Sequence, residues 1–238
     1  MPKKKNKRNK KVASVFHIFC EGEKTEPYYI NDYIKHHHSE HRNIVVVEET
    51  NKNTPVQLVD IAIKERSNIN DVYWVVFDRE SITKYSHELH SNARKKAEDN
   101  NILIAFSNVC FELWFLLHFN YSTASYDSCK NLLKNSSLKK LLRDREIRDY
   151  EKGFPYLFDK LKDNVKDAIV NSERLKKEML KSSDPQRDSV SQLNPYTDVH
   201  ELFIDIKNFI DGNASIRSDL TEIQRQVMID ETIKHIAN

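Results

Sequence analysis

The sequence has few residues that interrupt regular secondary structure. Among its 238 residues there are only three glycines and six prolines, while 39% of the residues are hydrophobic and 31% are charged. A chain of this composition is predicted to be a helix-rich soluble protein. Its length allows a sizeable core, so we expect one large domain or one domain with an elaboration.

Long apolar stretches are also missing. No window approaches the roughly 20 apolar residues that a helix needs to span a bilayer. No apolar signal-peptide core separates the basic N-terminus from the first predicted strand. The sequence therefore predicts a cytoplasmic protein with no membrane partner.

Cysteine is scarce as well. The three cysteines are odd in number and far apart in the chain, and two of them fall in strongly apolar runs; they are Cys20, Cys110 and Cys129. This pattern excludes a disulfide framework or a zinc cluster as the basis of the fold. We expect three reduced thiols buried in the core of a protein from a reducing compartment.

The small net charge of +2 conceals an uneven distribution of charge. Residues 1–11 contain seven basic side chains and no acidic one, which leaves 31 of the 38 basic residues against all 36 acidic residues for the rest of the chain. The body of the protein is therefore mildly acidic. We predict that residues 1–11 form a disordered basic arm, which either solubilises the protein or binds nucleic-acid phosphate.

Apolar runs alternate with amphipathic segments through the first half of the chain. Four apolar runs predict β-strands at residues 12–20, 43–49, 72–77 and 102–106. Each run is followed by a helical pattern, at residues 25–34, 54–66, 85–99 and 109–119. This alternation predicts an α/β fold, with a mostly parallel, doubly wound sheet of about four strands within residues 12–120.

The second half of the chain has a different pattern. Helical segments are predicted at residues 125–150, 154–180 and 199–210, with a loop rich in Ser, Asp and Gln at residues 182–194. Each predicted helix has one apolar face that must be buried. We therefore expect residues 121–238 to form a helical region packed on the sheet.

Three carboxylates are predicted to lie at the ends of two strands. Glu21 follows the first strand, and Asp78 and Glu80 follow the third. Because the carboxyl ends of parallel strands share one edge of a sheet, these acids can converge there. Clustered carboxylates raise one another's pKa or bind a cation, and oxygen ligands of this kind suit Mg²⁺ or Mn²⁺. Helix capping and salt bridges are the alternative roles for such acids.

Glu112 is a further acid in an unusual setting. It is the only charged residue in the apolar run from Phe106 to His118, and an unpaired buried acid is costly. It also lies in the first turn of a predicted helix, where a carboxylate favours the helix dipole. Ser107 precedes this helix and is predicted to cap it rather than to bind a metal.

Several segments together resemble the RloB family, whose core is a toprim (topoisomerase–primase) domain. The resemblance rests on residues 19–27 (FCEGEKTEP), 77–80 (FDRE) and 107–119 (SNVCFELWFLLHF), with further similarity at 149–152 (DYEK) and 194–200 (NPYTDVH). It covers nearly the whole chain apart from the basic arm. The resemblance implies a toprim-like sheet related to that of OLD-type toprim nucleases.

The resemblance also implies a set of metal ligands. Toprim domains hold Mg²⁺ with a strand-end Glu and an Asp-X-Asp pair while they break or make phosphodiester bonds, which assigns these positions to Glu21, Asp78 and Glu80. OLD-type nucleases complete a second metal position with another acid, which the resemblance assigns to Glu112. The chain departs from the family pattern twice, since Glu80 stands where Asp is usual and Val109 stands where Pro is expected.

Four other polar residues near these motifs have alternative roles. Lys24 either contacts phosphate and assists a general base or is a surface lysine. Histidine side chains ordinarily titrate near neutrality, so one role for His200 is that of a base or a nucleic-acid contact. The alternative is that it packs beneath a capped helix. Glu26 either supports the metal indirectly or caps the first helix, and capping is the simpler interpretation. Glu23 is the better candidate for that cap.

The sequence leads to two hypotheses about function. The first is a Mg²⁺-dependent toprim nuclease that hydrolyses phosphodiester bonds in RNA, tRNA included, or in DNA; the resemblance associates it with prokaryotic anti-phage defence. Its predicted catalytic residues are Glu21, Asp78, Glu80, Glu112, Lys24 and His200. The second is a non-catalytic toprim-like regulator that binds nucleic acid or a partner protein. The need for an activator and self-association are open under both hypotheses.

Overall fold

The computed structural model describes residues 14–51, 54–81, 83–184, 189–212 and 222–237. The predicted arm at residues 1–11 lies outside these ranges. The described strands are β1 (Phe16–Cys20), β2 (Val45–Glu48), β3 (Val72–Asp78), β4 (Leu103–Asn108) and β5 (Tyr196–Thr197). They form one sheet in the order β2-β1-β3-β4-β5, in which the first four strands are parallel and β5 is antiparallel to β4. The predicted α/β fold with a mostly parallel sheet is confirmed, and β5 is an addition to it.

Ten α-helices lie within the described ranges. They are α1 (Thr25–His37), α2 (Pro55–Lys64), α3 (His87–Glu98), α4 (Glu112–Leu117), α5 (Cys129–Asn135), α6 (Leu138–Asp144), α7 (Leu157–Leu161), α8 (Val165–Ser182), α9 (Val199–Ile210) and α10 (Glu222–Ala237). The long helix predicted at residues 154–180 is interrupted between α7 and α8 by the 3-10 turn Lys162–Asn164. None of these helices is both long and apolar enough to cross a lipid bilayer.

Side chains of the central strands alternate between two faces of the sheet. Ile18 and Trp74 belong to a large buried cluster on the face covered by α1, α4 and the helical second half of the chain. Phe19 and Val75 belong to a smaller cluster on the face covered by α2 and α3. Burial on both faces explains why the strands read as nearly continuous apolar runs.

Helices of the second half share the larger cluster. Phe158 of α7 and Phe203 of α9 both lie edge-on to the ring of Tyr29 in α1, and the ring of Phe203 stacks on that of Trp114 in α4. The helical region is therefore packed on the sheet, as expected from its amphipathic helices.

Two helix starts differ from the prediction. The N-terminal cap of α1 is Lys24, and no side chain caps this helix, so the prediction that Glu23 caps it is wrong. The prediction that Ser107 caps α4 is also wrong, because this residue belongs to β4 and its hydroxyl lies 3.1 Å from Thr197 Oγ1 of β5. The predicted start of α2, with Thr54 as the cap, is confirmed.

The cysteines also differ from the prediction. Cys110 and Cys129 form a disulfide, with their Cα atoms 5.6 Å apart, although 19 residues separate them in the chain. Only Cys20 is a free, buried thiol, as expected. The pairing depends on the return of the chain from α4 to the start of α5, which spacing in the sequence does not reveal.

Candidate metal-binding site

Two acids meet at the carboxyl edge of the sheet. The strands β1 and β3 are parallel neighbours, so the residues that end them lie side by side. Glu21 follows β1, and Asp78 is the last residue of β3. The backbone N–H of Asp78 donates a hydrogen bond to Oε2 of Glu21 at 3.2 Å. The sequence correctly places these two acids together, although they are 57 residues apart.

An open cleft of about 320 Å³ lies at this edge of the sheet. It is formed by the β1–α1 turn, the start of α1, the residues after β3 and the loop after α6. Its lining residues are Glu21, Gly22, Glu23, Lys24, Thr25, Glu26, Asp78, Glu80, Lys84, Lys152 and Gly153. The cleft thus gathers several carboxylates and three lysines around the predicted metal position.

Glu26 is an acid of this cleft for which helix capping was the simpler interpretation of the sequence. It lies in the first turn of α1 and is only 7% exposed. Its carboxylate packs against Gly22, where a side chain would overlap it. Burial, assisted by the charges of Glu112 and Glu21, raises the pKa of Glu26 to about 7. Glu26 therefore belongs to the acidic cluster rather than to a helix cap.

Asp78 is the most deeply buried acid that lines the cleft. Burial raises its pKa well above the ordinary value, and the charges of Glu26, Glu112 and Glu21 add to this effect. Burial likewise raises the pKa of Glu21. The ionised state of this acidic cluster is unfavourable, because like charges repel and a low-dielectric surrounding disfavours the charged form of each carboxyl group.

Two carboxylate oxygens of the cleft are buried and have no hydrogen-bond partner in the described part of the chain. They are Oε1 of Glu21 and Oδ1 of Asp78. A buried polar atom without a partner is unfavourable, whereas hard divalent cations bind to such oxygens. The donor set therefore fits Mg²⁺ or Mn²⁺, and Glu21 and Asp78 are the residues best placed to hold the ion.

Glu80 also lines the cleft. Strand β3 ends at Asp78, and Glu80 lies beyond it with a φ of 59°, so the backbone between these two acids is not extended. Its carboxylate forms an ion pair with Lys84 at 3.1 Å. Glu80 can therefore reach the cleft, but the Lys84 ammonium already balances its charge.

Glu112 lies behind the cleft and has several partners. It is fully buried; its Oε1 accepts a hydrogen bond from the Tyr150 hydroxyl at 3.2 Å, and its Oε2 lies 3.8 Å from Nζ of Lys152. Burial raises the pKa of Glu112, and Lys152 opposes that rise. Its predicted role as a ligand for a second metal stays a prediction.

Lys152 is a residue of the site whose role the sequence did not reveal. Burial disfavours its charged form, but the charges of Glu112, Asp78 and Glu80 outweigh burial and raise its pKa to about 12. Its loop is attached to α1, because the N–H of Gly153 donates a hydrogen bond to Thr25 Oγ1 at 2.8 Å. The resemblance at residues 149–152 was the signal that could have identified it.

The structure separates the last two predicted residues. Lys24 is exposed and lines the cleft, so its predicted contact with phosphate stays open. His200 does not line the cleft; it is fully buried, and its Nε2 lies 2.8 Å from Oε2 of Glu173 on α8. The catalytic role of His200 stays a prediction, and its position agrees with the alternative in which this residue packs beneath a helix.

Comparison with known proteins identifies one family. The model of a family described as RloB-like protein matches residues 16–206, which include all the lining residues of the cleft. The chain matches none of the curated proteins and none of the solved structures with which it was compared.

Proposed function

The chain belongs to the RloB-like protein family, and from this membership and the acidic cleft we propose that it is a metal-dependent nuclease. The reaction would be hydrolysis of phosphodiester bonds in RNA or DNA, with Mg²⁺ or Mn²⁺ as the cofactor. One observation carries the proposal: Glu21 and Asp78 place buried oxygens without hydrogen-bond partners at adjacent strand ends in an open cleft. A role in prokaryotic anti-phage defence is part of the proposal and rests on the family resemblance alone.

The residues of the cleft have distinct roles in this proposal. Glu21 and Asp78 would hold the ion, with Glu80 at the rim and Glu112 behind. When bound, the ion supplies an activated water and stabilises the leaving oxygen of an in-line displacement. Lys152 keeps its proton at neutral pH and presents a positive charge to a phosphate oxygen in the cleft.

Glu26 has a further role as a proton carrier. Its pKa of about 7 allows the carboxylate to gain or lose a proton near neutral pH. A group of this kind can exchange a proton during hydrolysis without a large change in free energy. It also allows the cluster to lower its charge when no cation is bound.

A cleavage assay tests the proposal directly. Purified protein is incubated with Mg²⁺ or Mn²⁺ and end-labelled tRNA, single-stranded RNA, single-stranded DNA and duplex DNA. We expect cleavage of at least one substrate and a loss of about 100-fold or more on Glu21→Gln, by analogy with the removal of other electrostatic groups from active sites. Glu23→Gln is the matched control, because this exposed acid lines the same cleft.

The same variants separate the proposal from the regulator hypothesis. The ion pair of Glu80 with Lys84 and the partners of Glu112 are the observations that favour a non-catalytic protein, since they stabilise these acids without a metal. Titration calorimetry with Mg²⁺ should show binding that Asp78→Asn removes. Equal cleavage by Glu21→Gln and wild type would contradict the nuclease. Absence of both Mg²⁺ binding and cleavage, with an activator from cell extract added, would favour the regulator.

A further inference from the structure

Two parts of the chain that are about twenty residues apart both contact the carboxylate of Glu112. Cys129, the first residue of α5, has its Sγ 3.0 Å from Glu112 Oε2. Tyr150 and Lys152, after α6, contact the same carboxylate. Residues 129–152, called here the α5–α6 segment, therefore form a helical excursion with both ends at Glu112.

The α5–α6 segment has a charge opposite to that of its surroundings. It contains eight basic and four acidic side chains, whereas the chain beyond residue 11 has more acids than bases. The apolar residues Leu132, Leu138 and Leu142 are fully buried beneath it. The helices thus bury one face in the core and carry their basic residues on the other.

Six basic side chains of this segment are exposed and form no ion pair with a carboxylate of the described residues. They are Lys130, Lys134, Lys139, Lys140, Arg143 and Arg148. Some exposed lysines elsewhere form ion pairs with acids, such as Lys84, Lys95 and Lys207, whereas others, such as Lys64 and Lys166, form none with the described carboxylates. The α5–α6 segment differs from the rest of the surface in that its six unpaired cations lie within residues 130–148, next to the acidic site.

We propose that the α5–α6 segment is the surface on which the phosphate backbone of the nucleic acid lies as it enters the cleft. This inference rests on the proposed nuclease function and names the part of the chain that binds the substrate. An acidic cleft repels phosphate, so the backbone must be held by cations close beside it. Lys152 connects the two regions, because it ends the segment and also lines the cleft.

The size of the surface indicates the length of backbone that it contacts. Each of α5 and α6 has seven residues, which corresponds to about 10 Å of helix. The segment therefore fits a short stretch of backbone, as in the loop or stem of a compact nucleic acid, better than a long duplex. Its cations act as point charges on phosphate, so the binding is expected to depend strongly on salt and little on base sequence.

A binding experiment with matched variants tests this surface. One variant combines Lys139→Gln, Lys140→Gln and Arg143→Gln in the segment. The control combines Lys64→Gln, Lys95→Gln and Lys96→Gln, which change the net charge by the same amount. These lysines lie on α2 and α3, which cover the opposite face of the sheet. Affinity for a fluorescent RNA hairpin is measured by anisotropy in EDTA, where metal-dependent cleavage cannot occur, at several salt concentrations.

The expected results differ between the two variants. The segment variant should bind at least about tenfold more weakly than wild type at 0.1 M salt. The slope of log K against log salt should also decrease in magnitude by about 2, since each of the three lost phosphate contacts contributes about 0.7 to 0.9 to that slope. The control should stay within about twofold of wild type. Equal behaviour of the two variants would overturn the proposal, as would equal competition by polyglutamate, which would indicate an acidic protein as the partner.

The failure of this proposal is distinguishable from failure of the nuclease. If the segment variant binds like wild type while Glu21→Gln abolishes cleavage, the surface is wrong and the nuclease stands. If the segment variant loses binding while the wild type cleaves nothing, the surface stands and the nuclease is wrong.

Discussion

Gly22 lacks a side chain at the point where Glu26 enters the acidic cleft. A Cβ atom at this position would overlap the Glu26 carboxylate, which is buried and cannot move freely. We expect Gly22→Ala to lower the free energy of unfolding by about 1 to 3 kcal/mol, as overpacked sites do. Urea unfolding in EDTA at neutral pH measures this change.

A double variant shows whether the overlap with Glu26 causes the loss of stability expected for Gly22→Ala. Since the overlap involves the end of one side chain, Gly22→Ala should cost much less when Glu26→Ala is also present, and the two substitutions should be strongly non-additive. An unchanged cost in the Glu26→Ala background would show that Gly22 is required for some other reason.

His200 is an example of a residue that the sequence identifies as important without giving its role. Burial opposes the ionised form of Glu173, yet contacts with His200 and Lys177 lower its pKa to about 2. Removal of His200 leaves that buried carboxylate without its main partner, and breaking a buried pair costs about 3 to 5 kcal/mol. We expect His200→Ala to destabilise the protein by about 3 kcal/mol without changing Mg²⁺ binding.

Two measurements on the His200 variant separate a structural role from a catalytic one. Thermal unfolding reports the loss of stability, and Mg²⁺ calorimetry reports the cleft. His200→Gln is the control, because its amide can still donate a hydrogen bond to Glu173. A variant that is as stable as the wild type but inactive would support the catalytic role of His200.

At the scale of elements, the first half of the chain was predictable and the connections between distant segments were not. The central strands β1 and β3 are almost entirely buried on both faces, and such strands read directly as apolar runs. In contrast, β5 has only two residues, Tyr196 and Thr197, too few to produce a periodic pattern. The interruption between α7 and α8 is also hidden, because the 3-10 turn has only three residues, which is too short to change the apolar pattern of the segment.

The same distinction holds for the site. Glu21 and Asp78 end adjacent parallel strands, so the topology alone brings them together. Glu26 was predicted less well, because its place in the cluster depends on the fit of its carboxylate against Gly22. Lys152 reaches the cleft through packing between segments far apart in the chain, so its signal in the sequence was the family resemblance at residues 149–152 rather than any local pattern.

Gly153, in the loop that carries Lys152, allows this loop to pack closely against Lys24 at the start of α1. Gly153 has a φ of +79°, and a Cβ there would lie 2.8 Å from the Cβ of Lys24. Gly212 is a natural control, since it also has a positive φ, of +68°, but a Cβ there would meet no atom within 4 Å. Gly212→Ala should cost about 1 to 2 kcal/mol through backbone strain alone.

Gly153→Ala should cost at least about 1 kcal/mol more than Gly212→Ala, because a backbone-proximal clash is added to the strain. Trypsin should also cleave the displaced loop after Lys152 more readily than it cleaves the wild-type loop. Chemical unfolding and limited proteolysis measure the two effects. Equal costs for the two glycine variants would show that the loop is not fixed against Lys24.

For the molecule as a whole, the carboxylates of the cleft predict how stability changes with pH in the absence of metal. Glu26 has an ordinary pKa near 4.5 when unfolded and about 7 when folded, so the folded protein binds more protons between these values. Its stability should therefore be highest below about pH 5 with respect to this group and should fall as the pH rises through 7. A shift of this size corresponds to about 3 kcal/mol.

This dependence also predicts the effect of a cation on the whole fold. In EDTA, the free energy of unfolding of the wild type should fall by about 3 kcal/mol relative to that of Glu26→Gln between about pH 5 and pH 8, because the amide of the variant does not titrate. Because a cation and a proton neutralise the same cluster, added Mg²⁺ should raise the unfolding temperature more at pH 8 than at pH 5. Thermal unfolding of both proteins across this pH range is the measurement. A Glu26→Gln variant that keeps the wild-type pH dependence would show that the cluster does not control stability.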